Sequence, residues 1–143
     1  MSLKMRAVSL MACGVGAVVV LIASTACRAY ERAKQVRTVA DMQSMCAGID
    51  GEKEARRPLD EARIKELVRR VAGGRDAWGN SVLVGVRSTP AGLRYMLVSM
   101  GSDGRLDVDT LLRYFDEVPP SVRDDARSDI VFIDGKDVTH GGK

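Results

Sequence analysis

A chain of 143 residues with a formal net charge of +3 has room for one small domain, and for less once an apolar N-terminal stretch is set aside. Its 22 Lys and Arg are interspersed with 19 Asp and Glu, and aromatics make up only 4%, so a basic, aromatic-lined platform for nucleic acid is not expected. The three cysteines, Cys13, Cys27 and Cys46, all lie in the first third, which excludes a disulfide framework in the remainder.

The first predicted element is a membrane anchor. Residues from Ala7 to Cys27 carry no charge and centre on Val18-Val19-Val20-Leu21-Ile22. As a helix rising about 1.5 Å per residue, the run spans roughly 30 Å, the thickness of a bilayer's hydrocarbon core. Lys4 and Arg6 precede it, as they would in a signal peptide or in a membrane helix with its N-terminus inside. Cleavage after Ala26 is the rival reading. The apolar run exceeds a usual signal-peptide core, and Arg28 to Lys34 continue as a good helix without a breaker, so a retained anchor over residues 1–29 is favoured. A lipobox around Cys27 matches poorly, because Ser24 stands where a branched aliphatic residue belongs. Arg28, Arg32, Lys34 and Arg37 make the far flank basic too, so the positive-inside rule leaves orientation open.

Residues 30–58 read as a helical arm and a connection. Val39, Met42, Cys46 and Ile49 recur at spacings of three and four and form one apolar stripe, with the methionines expected as core filler. Gly48 and Gly51 weaken the helix, and Pro58 ends the connection. A head over 59–143 follows. Its helix starts at Asp60, an N-cap with Glu61 in the first turn, presents Ile64, Leu67, Val68 and Val71, and stops at Gly73-Gly74. Arg63, Lys65, Arg69 and Arg70 fall off that face, as a solvated surface does.

Ser81 to Arg87 and Leu93 to Met100 are rich in valine and leucine and flank the turn residues Ser88-Thr89-Pro90-Ala91-Gly92, which predicts an antiparallel pair. Ile130 to Ile133 is a third strand, and Asp134-Gly135 a tight turn leading to a short fourth that runs through Val138. The predicted fold is therefore α+β, a long N-terminal helix packed on a small antiparallel sheet of three to four strands. An insertion at about 105–127, with a helical run from Thr110 to Phe115 and then Pro119-Pro120, is expected at the surface. Trp78, in a turn beside Gly79, is expected to cover the core rather than to act as a partner hot spot.

Two turn motifs bracket the strand pair: Asp76-Ala77-Trp78-Gly79-Asn80 before it and Ser99-Met100-Gly101-Ser102-Asp103-Gly104 after it. With the preceding apolar helix and arm, this order resembles the major pseudopilin family of type II secretion over roughly Val36 to Gly104 plus Ser128-Asp129-Ile130. The resemblance implies a small α+β head on the periplasmic or extracytoplasmic side of the inner membrane, a single-pass anchor, and partners among similar subunits through the N-terminal helix. It also implies calcium in the loop after the second strand. Carried onto this chain, the ligand set is the Met100 and Arg105 carbonyls, Asp103, and Ser128-Asp129, where Ser128 stands in place of the first carboxylate of a pair. Calcium is a hard cation that takes six to eight oxygens in a flexible shell, so such a set suits it. Asp107, Asp109, Asp124 and Asp125 are all candidates for the missing carboxylate. An EF-hand does not fit, since a loop starting at Asp103 has Val108 at its sixth position and Tyr114 at its twelfth.

The N-terminus departs from the family. No glycine-phenylalanine processing site with a glutamate five residues on follows Gly14 or Gly16, and that glutamate is what would register neighbouring helices in a filament. The expected function is a non-enzymatic, membrane-anchored subunit of a type II secretion or related filament system. The alternative is a solitary anchored extracytoplasmic binding module that does not polymerise. Catalysis and a small-molecule substrate are not expected. The only histidine, His140, sits near the C-terminus, no nucleophile-base order can be assembled, and no phosphate-cradling glycine loop follows a strand.

Overall fold

A computed structural model describes residues 3–116 and 127–138, with side chains from Ala23 onward. The chain divides into two compact units, Met1–Ala33 and Lys34–Lys143. Helix α1 (Leu3–Glu54) supplies the first unit and the opening of the second. Most of the apolar run from Ala7 to Cys27 lies outside the described side chains, and among the described residues no helix is long and apolar enough to cross a membrane. Pro119-Pro120 and His140 also lie outside the described residues.

The head is α+β, with an antiparallel sheet of four strands in the order β1 (Leu83–Thr89), β2 (Gly92–Ser99), β3 (Ile130–Ile133) and β4 (Lys136–Asp137). Register follows the turns. Thr89 pairs with Gly92 across Pro90-Ala91, and Ile133 pairs with Lys136 across Asp134-Gly135. Both Asp134 (φ +48°) and Gly135 (φ +80°) are left-handed, the backbone that a two-residue turn needs to match strand twist. A Cβ on Gly135 would stand 2.7 Å from Asp50 Oδ2, so glycine here also lets α1 approach the turn.

From Lys34 on, the arm lies in the same compact unit as the head. The reason is burial: Met42, Met45, Cys46 and Ile49 of α1 join Ile64, Leu67 and Val68 of helix α2 (Glu61–Arg70) on one face of the sheet. They meet Tyr95 and Leu97 of β2 and Ile130 and Phe132 of β3 there, with Trp78 packed at the margin. The methionines at 42 and 45 are core filler, at 0% and 1% exposure. Gly48 and Gly51 do not stop α1, which continues to Glu54. Both glycines face open space, so packing through Ile49 outweighs a propensity cost of about 1 kcal/mol each.

Helix α2 starts as its cap dictates, the Asp60 Oδ1 accepting from Arg63 N at 2.7 Å, and ends at Arg70, just before a 3-10 turn over Ala72–Gly74. Three of its four basic residues are held in ion pairs: Arg63 with Glu52 and Glu66, Lys65 with Glu61, and Arg70 with Glu66. Hydrogen bonds from Arg63 and Arg70 hold the Glu52 and Glu66 carboxyls below the usual carboxylate range. Tyr95 donates its hydroxyl to Asp50 Oδ1 at 3.0 Å, tying β2 to α1, and burial pushes the neighbouring Cys46 thiol up to about 11.

The sheet's other face is covered by the segment expected at the surface. Leu106, Val108, Leu111 and Phe115 pack against Met96, Val98, Val131 and Ile133, and Tyr114, in the 3-10 turn Leu111–Phe115, is fully buried. The start of the insertion is therefore a third layer. β2 and β3 carry apolar residues at successive positions, and a strand that is apolar on both sides needs cover on both faces. Arg87 fastens the far end of this layer, its guanidinium donating to both oxygens of Asp116 at 2.6 and 2.9 Å.

Candidate functional site

The two turn motifs meet. Asp76, at 6% exposure, accepts on Oδ1 from Trp78 N (3.0 Å) and Asn80 N (2.8 Å), which folds its own turn. Its Oδ2 accepts from the Ser99 hydroxyl at 2.8 Å, at the end of β2. Asn80 reaches the same place, its Nδ2 donating to the Gly101 carbonyl at 2.8 Å. The first motif is thereby bonded directly to the loop after β2. α1 takes part as well, with the buried Thr38 Oγ1 accepting from Ala77 N at 3.0 Å.

Downstream of Ser99 the loop makes a 3-10 turn over Gly101–Asp103 and leaves through Gly104 at φ +66°. A Cβ on Gly104 would press on Asn80 Oδ1 at 3.3 Å, so glycine permits both the backbone and the contact. Asp103 is exposed, and its Oδ1 accepts from Arg105 N at 3.0 Å, which rounds the loop as an aspartate turn. Met100 and Ser128 are half-buried and Arg105 is exposed.

Asp129 is the unusual residue. It is 4% exposed, and its two carboxylate oxygens differ in their surroundings. Oδ2 accepts from the Asp107 backbone N–H at 2.9 Å and from the buried Tyr114 hydroxyl. Oδ1 has no hydrogen-bond partner among the described residues. The Asp129 N–H in turn donates to Asp107 Oδ2 at 3.1 Å, so the two aspartates hold each other reciprocally. Burial raises the Asp129 carboxyl above its ordinary range, and the charges of Asp107 and Asp103 push in the same direction. Burial likewise raises the Tyr114 hydroxyl, which keeps it a donor.

A buried carboxylate oxygen without a donor costs free energy, on the order of 1–3 kcal/mol or more when charged. A hard cation bound there would remove the cost and offset the repulsion from Asp103 and Asp107. The donor chemistry is of the kind a hard, oxygen-seeking cation takes: Asp129 Oδ1 is a bare carboxylate oxygen, and the Asp107 and Asp103 charges act on the same carboxyl. Among the described residues no three His, Cys, Asp or Glu side chains group closely enough to hold a metal ion by themselves, so carbonyls and water would supply much of the coordination.

Of the carboxylates proposed to replace the one lost at Ser128, the structure brings Asp107 to Asp129. Asp109 is instead drawn to Arg113 at 3.0 Å, and Asp124 and Asp125 lie outside the described residues. Sequence reasoning missed Tyr114. A signal was present, because the insertion contains one of the chain's three tyrosines next to one of its two phenylalanines. Comparison with family models, with curated proteins and with solved structures gave no match for this chain.

Proposed function

We propose that this chain is a non-enzymatic, membrane-anchored, pseudopilin-like subunit of a type II secretion or related filament system, with a head stabilised by calcium. The observation that carries the reading is the meeting of the two turn motifs at Ser99, which pairs with Ile130 next to Asp129, whose buried Oδ1 has no donor among the described residues. In this reading Asp76 and Asn80 hold the loop in shape, and Asp129, Asp103 and Asp107 with loop carbonyls receive the ion. When bound, calcium supplies charge neutralisation and nothing catalytic.

The outer face of α1 supports assembly through helices. Within the head unit Val36, Ala40, Gln43 and Ala47 are exposed at spacings of four, three and four, with Val36 at 70% exposure. In the preceding unit Ala26, Ala29 and Ala33 are exposed at spacings of three and four. Small residues in such a stripe allow close approach of a second helix.

Calcium is expected to raise the melting midpoint of the detergent-solubilised chain. An ion at ten times its Kd contributes about 1.4 kcal/mol, on the order of 5 °C for a domain of this size. Chelator should reverse the shift and Asp129→Asn should abolish it; an unchanged midpoint in millimolar calcium removes the ion from the reading. For assembly, a photo-crosslinking side chain at Val36 in membranes is expected to yield a ladder of this or related subunits. A single adduct to an unrelated protein would favour the solitary binding module instead.

A further inference from the structure

We propose that Tyr114 is a positioning residue for the cation site, and that through it the ion controls how firmly residues 107–116 are seated on the sheet. The inference rests on the calcium reading of Asp129. One carboxylate oxygen, Asp129 Oδ2, receives donors from both ends of that stretch: the Asp107 N–H where the stretch begins and the Tyr114 hydroxyl near its close. The two donors hold the carboxylate plane and so fix where its other oxygen, which has no donor among the described residues, is presented to an ion.

Coupling follows from charge and packing together. Without an ion, Asp129 is a buried carboxylate beside Asp107, whose Oδ2 accepts from the Asp129 N–H, and repulsion between the two carboxylates, to which the Asp103 charge adds, opposes the closed arrangement of the segment. An ion on Oδ1 offsets the repulsion, while Oδ2 still holds Asp107 and Tyr114. The Tyr114 ring lies in the core formed by Met96, Val98, Val131 and Ile133, so the force on its hydroxyl is passed to the layer over β2 and β3. Binding and seating are then linked, and by reciprocity whatever loosens the seat weakens the binding equally.

The test uses the full chain in detergent, calcium chloride as the probe, calorimetry for affinity and amide hydrogen exchange for seating. Wild type is expected to bind calcium, with exchange of amides in 107–116 slowed about tenfold or more while α2 changes little. Tyr114→Phe keeps the ring and removes the hydroxyl. It is expected to bind calcium about fivefold or more weakly and to lose the slowing in 107–116. Leu112→Ala, on the exposed side of the same segment, is expected to retain both. Calcium binding by wild type without slowing in 107–116, or a Tyr114→Phe protein with unchanged affinity and slowing, overturns the coupling and leaves the site standing. Tighter binding by Tyr114→Phe overturns it too, since the hydroxyl would then compete with the ion. Absence of any binding heat in wild type overturns the calcium reading itself, and the coupling with it. If Tyr114→Phe does not fold, the wild-type exchange alone decides.

Discussion

Asp76→Ala is expected to destabilise the head by about 3–5 kcal/mol, read as a lower denaturant midpoint at unchanged slope. The side chain is nearly inaccessible and accepts three hydrogen bonds, from Trp78 N, Asn80 N and Ser99 Oγ. Alanine leaves all three donors without their acceptor, and each such donor costs about 1–3 kcal/mol when water cannot reach it. The losses overlap, because the turn can open slightly to admit water, which keeps the total below their sum. Asp76→Asn retains an acceptor for the two amides and is expected to cost about 1 kcal/mol. Ser99→Ala removes one donor, and with Asp76→Ala it should be strongly non-additive, the mark of a direct bond between the motifs. If the double variant simply sums the two single ones, the lock between the motifs is not an energetic unit.

Tyr114→Ala is expected to cost about 3–5 kcal/mol, the range for removing a buried aromatic side chain, and to lower the melting midpoint by on the order of 15 °C. The ring is fully buried in the second core, and its hydroxyl serves Asp129. Truncation therefore opens a cavity and leaves a buried carboxylate short of a donor. Leu112→Ala, two residues earlier and 50% exposed, is expected to stay within about 0.5 kcal/mol. The pair separates two pictures of the insertion. Were residues 105–115 a solvated loop, both substitutions would be nearly silent.

Much of the fold was legible because its signals are local. The Asp60 cap, the Gly73-Gly74 stop and the Asp134-Gly135 turn each act through neighbours a few residues away, and helix α2 and the β3–β4 turn lie where these residues put them. The stripe of Met42, Cys46 and Ile49 is legible for the same reason, since helical periodicity depends only on spacing. β1 begins at Leu83, later than the run from Ser81 suggests, because Ser81 instead bridges Arg75 beside the Asp76 turn.

The site was legible in its parts and not in its connections. Asp103 and Asp129 stand out as loop aspartates, but Asp107 and Asp129 are 22 residues apart, and no periodicity links them. The polar character of the insertion misled for a related reason. Asp107, Asp109 and Arg113 dominate its composition, while the apolar Leu106, Val108, Leu111 and Phe115 are too irregularly spaced to announce a buried face.

By itself, then, the sequence determined the local elements: the apolar N-terminal run, the capped helix, the hairpin and the two aspartate-glycine turns, each written in chemistry that acts over a few residues. Only the tertiary structure decided that the two turn motifs bond to each other through Asp76, Asn80, Ser99 and Gly101, that the start of the insertion covers the sheet's second face, and that Asp129 is buried with one oxygen lacking a donor among the described residues. The physical reason is that burial belongs to the packed chain. A carboxylate acquires an orphaned oxygen, and an ion acquires a reason to bind there, only when distant segments have excluded water from it.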